Sequence, residues 1–240
     1  MKLFQSLNLL LLKCKVNINS FSNKGSFSLN RLDKKMEKYL GYKNGFFIEL
    51  GANDGFTQSN TLYYERKYNW KGMLIEPSPN NFLTCKKVRS KNNSIYCNAC
   101  VGFDYQNKYV DITYSNLMTF SNSLDLDIVD KDIHIENSKK HLKKHEVIFE
   151  FGSVAQTLTS LMDKSNAPRV IDFLSLDVEG AETEVLRGVD FEKYSFKYML
   201  VEHRDFNELE QFLGDKGYSF IEKLSYHDYL FKNDKIAGIY

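Results

Sequence analysis

The residues best able to do chemistry in this chain are carboxylates carried by short apolar runs. GFFIELG holds Glu49 and closes on Gly51, GMLIE ends on Glu76, VIDFLSLD ends on Asp177, and FKYMLVE ends on Glu202 with His203 next. Apolar runs of this length read as buried strands, so each delivers its acid to the end of a sheet. Glu179 and Glu182 follow Asp177 in the next turn. Groups converging in this way can hold a proton, take one from an alcohol, or bind a cation. His203 is the first candidate for a general base, with Asp177 and Glu179 next. Asp177 and Glu202 could instead act as oxygen ligands to a divalent cation that lowers the acceptor's pKa. The mundane reading of each acid is a helix cap or surface charge, and of His203 a structural histidine tied to a neighbour.

The turn after the first run is E-x-G-A-N-D-G: Glu49, Gly51, Ala52, Asn53, Asp54 and Gly55. Its glycines let the backbone pass close to a ligand. A dinucleotide site would want G-x-G-x-x-G, and acids flanking the turn would repel pyrophosphate. The same acids suit the ammonium and sulfonium groups of S-adenosylmethionine, by contact or by ordering the loop. Glu76 stands where an acid accepts both ribose hydroxyls in nucleotide-binding βαβ units. Asn98 and Ala99, between Cys97 and Cys100, fall at the end of a third strand, where Asn98 can both donate to and accept from an adenine edge.

These positions need a scaffold of alternating elements. Strand 45–51, helix 57–68 capped by Thr57, strand 72–76, a helix opening at Ser78 and Pro79, and strand 94–101 give βαβαβ, hence a parallel sheet. A second set follows: helix 156–164, strand 170–177, helix 180–187, strand 196–202, helix 206–214, and strands 218–224 and 228–232. The chain reads as one doubly wound α/β domain over 45–240, preceded by a helical extension over 1–44 with a helix at 29–42. Residues 103–150 break the rhythm and form an insertion after the third strand, placed to carry specificity over the mouth.

The 240 residues are 42% hydrophobic, enough for one core rather than two. Lys and Arg number 32 against 31 Asp and Glu, so no overall field gathers polyanions, and nucleic acid is not an expected partner. Cys14, Cys85, Cys97 and Cys100 have no framework spacing and read as reduced thiols in the cytoplasm. Cys97 and Cys100 lack the second pair a zinc site needs. Residues 3–12 are too short to span a bilayer and read as an amphipathic helix rather than a targeting segment. The run Lys139, Lys140, His141, Lys143, Lys144 and His145 reads as a solvated helix face that could also grip an acidic glycan or a membrane surface.

Taken in order, FIELGANDG, SNTLYYE, WKGMLIEPSPNNF, CNACVG, IDFLSLDVEGAE and VEH resemble the FkbM-type family of S-adenosylmethionine methyltransferases. The resemblance spans roughly 45–232 and leaves the N-terminal extension and much of 115–145 uncovered. It implies a seven-strand methyltransferase (Rossmann-like) sheet of order 3-2-1-4-5-7-6 and O-methylation of a sugar, glycan or other hydroxylated small molecule. By the same resemblance Glu49, Gly51, Asn53 and Gly55, with Ala52 between them, frame the methionine part. Glu76 takes the ribose, Asn98 and Ala99 the adenine, and Asp177 stands beside the methyl group. The competing expectation is a non-catalytic module of the same fold that holds a protein partner through 103–150. A nicotinamide enzyme is disfavoured by the missing third glycine.

Overall fold

Strand β1 (Phe46–Leu50) forms because FFIEL can be buried on both faces, and Phe47, Ile48 and Leu50 are all enclosed. It pairs in parallel with β2 (Lys71–Ile75), and β2 in turn with β3 (Ser94–Tyr96). In a computed structural model the protein is described over residues 25–124, 131–142 and 144–236. Residues 3–12, Cys14 and Lys143 therefore lie outside the described residues.

The expected strand 94–101 is two elements. β3 stops at Tyr96, and Ala99–Cys100 forms β4, which leaves the main sheet for a second one. Strands β5 (Tyr109–Tyr114), β6 (Phe120–Ser121) and β7 (Phe149–Gln156) complete that second sheet in the order β4-β7-β5-β6. The insertion is thus a built lobe that runs six residues past its expected end. Strand β7 was hard to foresee because it is mostly half-exposed or exposed and lacks a clean apolar face.

The chain then returns to the main sheet with β8 (Val170–Leu176), β9 (Ser195–Glu202), β10 (Tyr218–Lys223) and β11 (Asp228–Asn233). The main sheet runs β10-β11-β9-β8-β1-β2-β3, with β11 antiparallel to both neighbours. Numbered within that sheet alone, the order is 3-2-1-4-5-7-6, as the resemblance implied. The order reverses between β1 and β8, and a crevice opens there at the carboxyl ends of the strands.

Helices cover both faces. α1 (Leu32–Lys35), α2 (Glu37–Leu40) and α3 (Leu62–Tyr68) pack one face through Leu32, Met36, Leu40, Leu62 and Tyr64, with α4 (Pro79–Val88) adding Cys85. After the insertion helix α5 (Lys131–Ser138), the helices α6 (Leu158–Lys164), α7 (Glu182–Arg187) and α8 (Phe206–Gly214) pack the other face. Their contributions include Leu158, Met162, Val185, Leu186, Leu209 and Leu213.

Two helix starts differ from expectation for local reasons. The single helix expected at 29–42 is broken because Asn30 and Arg31 are left-handed (φ 50° and 58°). Fully buried Asp33 accepts from Phe27 N at 2.7 Å and Ser26 Oγ at 2.5 Å, folding the preceding chain back onto α1. Thr57 does not cap α3. Its N–H and hydroxyl both donate to Asp54, and Ser59 Oγ accepts from Leu62 N where the helix actually begins.

Candidate active site

The strand ends enclose a cleft of about 400 Å³, within the range of small-molecule sites. Gly51, Ala52 and Asn53 from the β1 turn, Glu76 after β2, Asn98 and Ala99 before and in β4, and Asp177, Glu179 and Glu202 all line it. Glu49, Gly55 and His203 do not line it. Thr57, Gln58 and Arg204 also line it, and Arg204 carries no sequence signal of its own beyond its place after His203.

Gly51 is required by the protein's own backbone. Its φ is +73°, and a Cβ there would lie 1.8 Å from the carbonyl oxygen of Asp177. Strand β1 and the turn after β8 therefore approach as closely as a residue without a side chain permits. Gly51→Ala is expected to destabilise the fold by more than the ~1–3 kcal/mol of a left-handed non-glycine residue alone, read as a lowered urea midpoint. A midpoint within error of the parent would sink this account.

Glu49 is buried beneath the cleft, not in it. Its carboxylate accepts from Ser59 Oγ at 3.0 Å, Asn60 N at 2.8 Å and Thr61 Oγ1 at 2.6 Å, and it pairs with Arg89 at 3.0 Å. Of the two expected roles, direct contact with the methionine part gives way to the other: the acid is spent on ordering the loop. Asp54 does the same, accepting from Phe56 N and Thr57 N. Gly55 has left-handed φ (+76°) and packs on Cys85 and Arg89.

Glu76 does face the cleft. One of its oxygens accepts from Asn53 N and the other from Ser78 N, both at 2.9 Å, so the β1 turn and the start of α4 hold the carboxyl in place. Burial pushes its pKa up to about 7, against the lowering by those two N–H groups and the Asn81 side chain. Ser78 precedes α4 as expected, with Pro79 at the first helical position, but its hydroxyl makes no cap bond. Asn98 Nδ2 donates to Val154 O at 3.0 Å, which ties β4 to β7 and leaves the amide oxygen for a ligand.

Asp177 is exposed only in the sense that it opens into the cleft. Enclosure by the cleft walls, then the neighbouring Glu202 carboxylate to which it is hydrogen-bonded, push its pKa well above the ordinary carboxylate range. Oxygens of Asp177, Glu182 and Glu202 lie within 4.8 Å of one another. Glu182 is turned to the backbone, its Oε1 accepting from Val178 N and Gly180 N. Glu179 is left-handed (φ 57°), with Oε2 at 3.6 Å from Arg204 and 3.8 Å from His134. That backbone outlier sits where strand-end turns commonly store strain at functional sites.

The insertion supplies the facing wall, with Met118, Phe120, Leu124, Lys140 and His141 among its lining residues. The lysine–histidine run is therefore partly a cleft wall rather than only a solvated face. A family model described as a methyltransferase FkbM domain matches residues 49–227 of the chain.

The chain belongs to the FkbM methyltransferase family.

Methyltransferase 1 of Beauveria bassiana (strain ARSEF 2860) is 28% identical over 191 residues, covering 73% of each chain. Methyltransferase sdnD of Sordaria araneosa is 27% identical over 201 residues, covering 73% of this chain and 74% of that one. Among solved structures, the precorrin-6y C5,15-methyltransferase of Geobacter metallireducens GS-15 is similar over 83% of this chain and 85% of that one, with 11% identity and a TM-score of 0.42. The FkbM domain match agrees with what the motifs implied. No helix among the described residues is long and apolar enough to cross a membrane.

In this FkbM domain His203 is a structural residue. It is 2% exposed, its Nδ1 accepts from Asp205 N at 3.1 Å, and its Nε2 is 3.0 Å from Thr183 Oγ1. Because Nδ1 accepts, the neutral ring carries its proton on Nε2 and donates it to Thr183, joining the end of β9 to α7. The first-choice base is thus not brought to the cleft. His203→Ala should cost about 1–3 kcal/mol of stability through the buried groups it leaves unpaired. S-adenosylhomocysteine affinity should change by less than about threefold, since it is a structural loss (under ~0.7 kcal/mol at the site). A melt unchanged by the substitution, or a collapse in affinity, would refute this.

Cys85, Cys97 and Cys100 are free, and burial pushes the Cys85 and Cys100 thiols up to about 12. Neither buried thiol is a nucleophile near neutral pH.

Proposed function

We propose that the cleft binds S-adenosylmethionine and that the protein transfers its methyl group to a hydroxyl oxygen of a sugar, glycan or other hydroxylated small molecule. The observation that carries this reading is the Asp177–Glu202 carboxyl pair on the cleft wall, beside the β1 turn and Glu76. When bound, S-adenosylmethionine supplies a carbon activated by positive sulfur, and S-adenosylhomocysteine leaves as the carbon–oxygen bond forms. A neutral alcohol attacking that carbon must lose its proton, and a positioned carboxylate can take it, a contribution of about 10²–10⁴-fold.

The fit to the cofactor rests on donor chemistry. Glu76, held by two N–H groups and the Asn81 side chain, keeps acceptor capacity for a ribose hydroxyl. The Asn98 amide oxygen is placed to accept from an adenine amino group, with Ala99 and Cys100 as its apolar surroundings. Gly51, Ala52 and Asn53 offer a backbone wall to the methionine part. Asp177 and Glu202 are the proton acceptors, taking the role His203 cannot fill from its buried position.

The test is calorimetric titration with S-adenosylhomocysteine, with NAD as control, followed by transfer of labelled methyl to hydroxylated acceptors with and without EDTA. Saturable binding of the former alone and EDTA-resistant transfer are expected, because a proton shared by Asp177 and Glu202 accounts for their proximity. Transfer lost to EDTA and restored by Mg²⁺ would put a divalent cation between Asp177 and Glu202 instead. Absence of S-adenosylhomocysteine binding in folded protein would overturn the reading in favour of a partner-binding module.

A further inference from the structure

Residues 26–31 precede the first strand, yet they are clipped onto the rim of the cleft. Ser28 forms a parallel bridge with Gln58, and the Phe27 ring meets that of Phe56 edge-on at 5.7 Å. Leu29 and Gln58 thus line the cleft as neighbours. Leu29 is 54% exposed, whereas Phe27, Leu32 and Met36 around it in the chain are buried. The clip is firmly held: fully buried Asp33 accepts from Phe27 N and Ser26 Oγ, and its own N–H donates to Ser28 Oγ at 2.7 Å. Asn30, Arg31 and Gln58 are all left-handed (φ 50°, 58° and 58°), a conformation uncommon for residues with a side chain. Such residues persist where the surroundings over-determine them, and they gather at ligand clamps. Leu29 gains little burial from the arrangement, so its presentation to the cleft needs another reason.

Strand alternation puts this clip on the side of the reacting acids. Phe173 in β8, and Tyr198 and Leu200 in β9, belong to the core that holds Phe27 and Leu32, while Leu174, Leu176, Met199 and Val201 belong to the opposite one. Continuing the period of two, Asp177 and Glu202 project to the Phe27 side and His203 to the other, where Thr183 meets it. The cofactor contacts proposed above, at the β1 turn, Glu76 and Asn98, lie across the switch point from that acid pair. The clip also lies ahead of residues 49–227, the stretch matched by the family domain. A wall supplied from there suits an acceptor that differs between members better than a shared cofactor. Apolar lining is not confined to the clip, since Leu117, Met118 and Leu124 of the insertion also line the cleft.

Given the cleft as the methyl-transfer site proposed above, we infer that Leu29 contacts the acceptor, and that the acceptor presents an apolar group, alkyl or aryl, beside the hydroxyl that is methylated. Covering that group against Leu29 removes apolar surface of both partners from water. The same contact orients the acceptor, leaving its hydroxyl to Asp177 and Glu202 on the face that the clip covers. A free hexose, with hydroxyls around its rim, offers the leucine no such group.

The test uses matched probes that differ in an apolar group: phenyl glucoside against methyl glucoside, and 4-propylphenol against 4-(hydroxymethyl)phenol. Each is titrated into the full chain with and without saturating S-adenosylhomocysteine, in dilute buffer and in sodium sulfate. The apolar member of at least one pair is expected to bind about tenfold tighter, the scale of covering the exposed half of a leucine side chain. Sulfate should widen that gap, because it strengthens apolar burial and screens charge. Leu29→Ser, at an exposed position, should bring the two members within about twofold of each other, and Leu29→Met should keep most of the preference. Equal or undetectable binding of apolar and polar members, a gap that closes in sulfate, or a preference that survives Leu29→Ser would overturn the inference. So would a loss of S-adenosylhomocysteine affinity in Leu29→Ser as large as the loss for the probes, which would put the leucine against the cofactor. Failure of S-adenosylhomocysteine to bind the parent would strike the cofactor reading alone, because the apolar preference is read in the cofactor-free protein as well.

Discussion

Replacing Arg89 with Met should destabilise the protein by about 3–5 kcal/mol, the usual cost of removing one partner from a buried ion pair. Its side chain is fully enclosed and donates to Glu65 at 2.8 Å, Glu49 at 3.0 Å, Ser59 Oγ at 3.1 Å and Thr61 Oγ1 at 2.8 Å. Removing the guanidinium leaves two buried carboxylates without their shared cation. Burial pushes Glu65 up and Arg89 pulls it down further, so its net pKa is lowered in the folded protein. A lowered carboxylate contributes stability above its unfolded pKa, and that contribution fades as pH falls through the folded value. In Arg89→Met the sign reverses, since an acid without its cation is raised and is best tolerated when protonated. The stability gap between parent and variant should therefore be widest at about pH 8 and narrow towards about pH 5, and adding Glu49→Gln and Glu65→Gln should recover part of it. A gap that does not change with pH would mean that packing, not charge, carries the effect.

The network explains why Glu49 orders the turn and does not line the cleft. Glu49 lies in the E-x-G-A-N-D-G turn that the motif assigns to the cofactor, and nothing local to that turn shows that Arg89, forty residues on at the end of α4, claims it. The sheet was legible because each buried strand is an uninterrupted apolar run, so periodicity and the turn glycines sufficed for β1, β2, β8 and β9. The same logic placed Glu76, Asp177 and Glu202 at the mouth, since a strand end fixes direction. It failed for His203, one residue further, where the chain turns and the ring is captured by Asp205 N and Thr183. It failed again for β7, whose mostly exposed and half-exposed residues lack the alternation that marks a packed face. The place of the lysine–histidine run on the cleft wall could not be read from its sequence, because Lys140 and His141 join the cleft only through the tertiary placement of the lobe.

Glu76→Ala should weaken S-adenosylhomocysteine binding about 10–100-fold, the worth of one or two hydrogen bonds to an ionised acceptor at ~1.5–3 kcal/mol. The native protein should also bind more tightly as pH rises through about 7, where burial places this acid. Ribose hydroxyls donate to the carboxylate, so binding favours the ionised form and must expel a proton below that pH, at a limit of about tenfold in affinity per pH unit. Stability without ligand should move the other way. An acid raised from 4.5 to about 7 on folding binds its proton more tightly in the folded state, so it lowers stability as pH climbs through that window. One carboxyl thus makes the empty protein less stable and the loaded protein tighter over the same range. The difference between parent and Glu76→Ala isolates both slopes: titrations from about pH 5.5 to about 8.5 should show the affinity slope only in the parent, with urea midpoints changing in the opposite sense. Parallel pH profiles in parent and variant would show that Glu76 stays charged, or stays neutral, whether or not the cleft is filled.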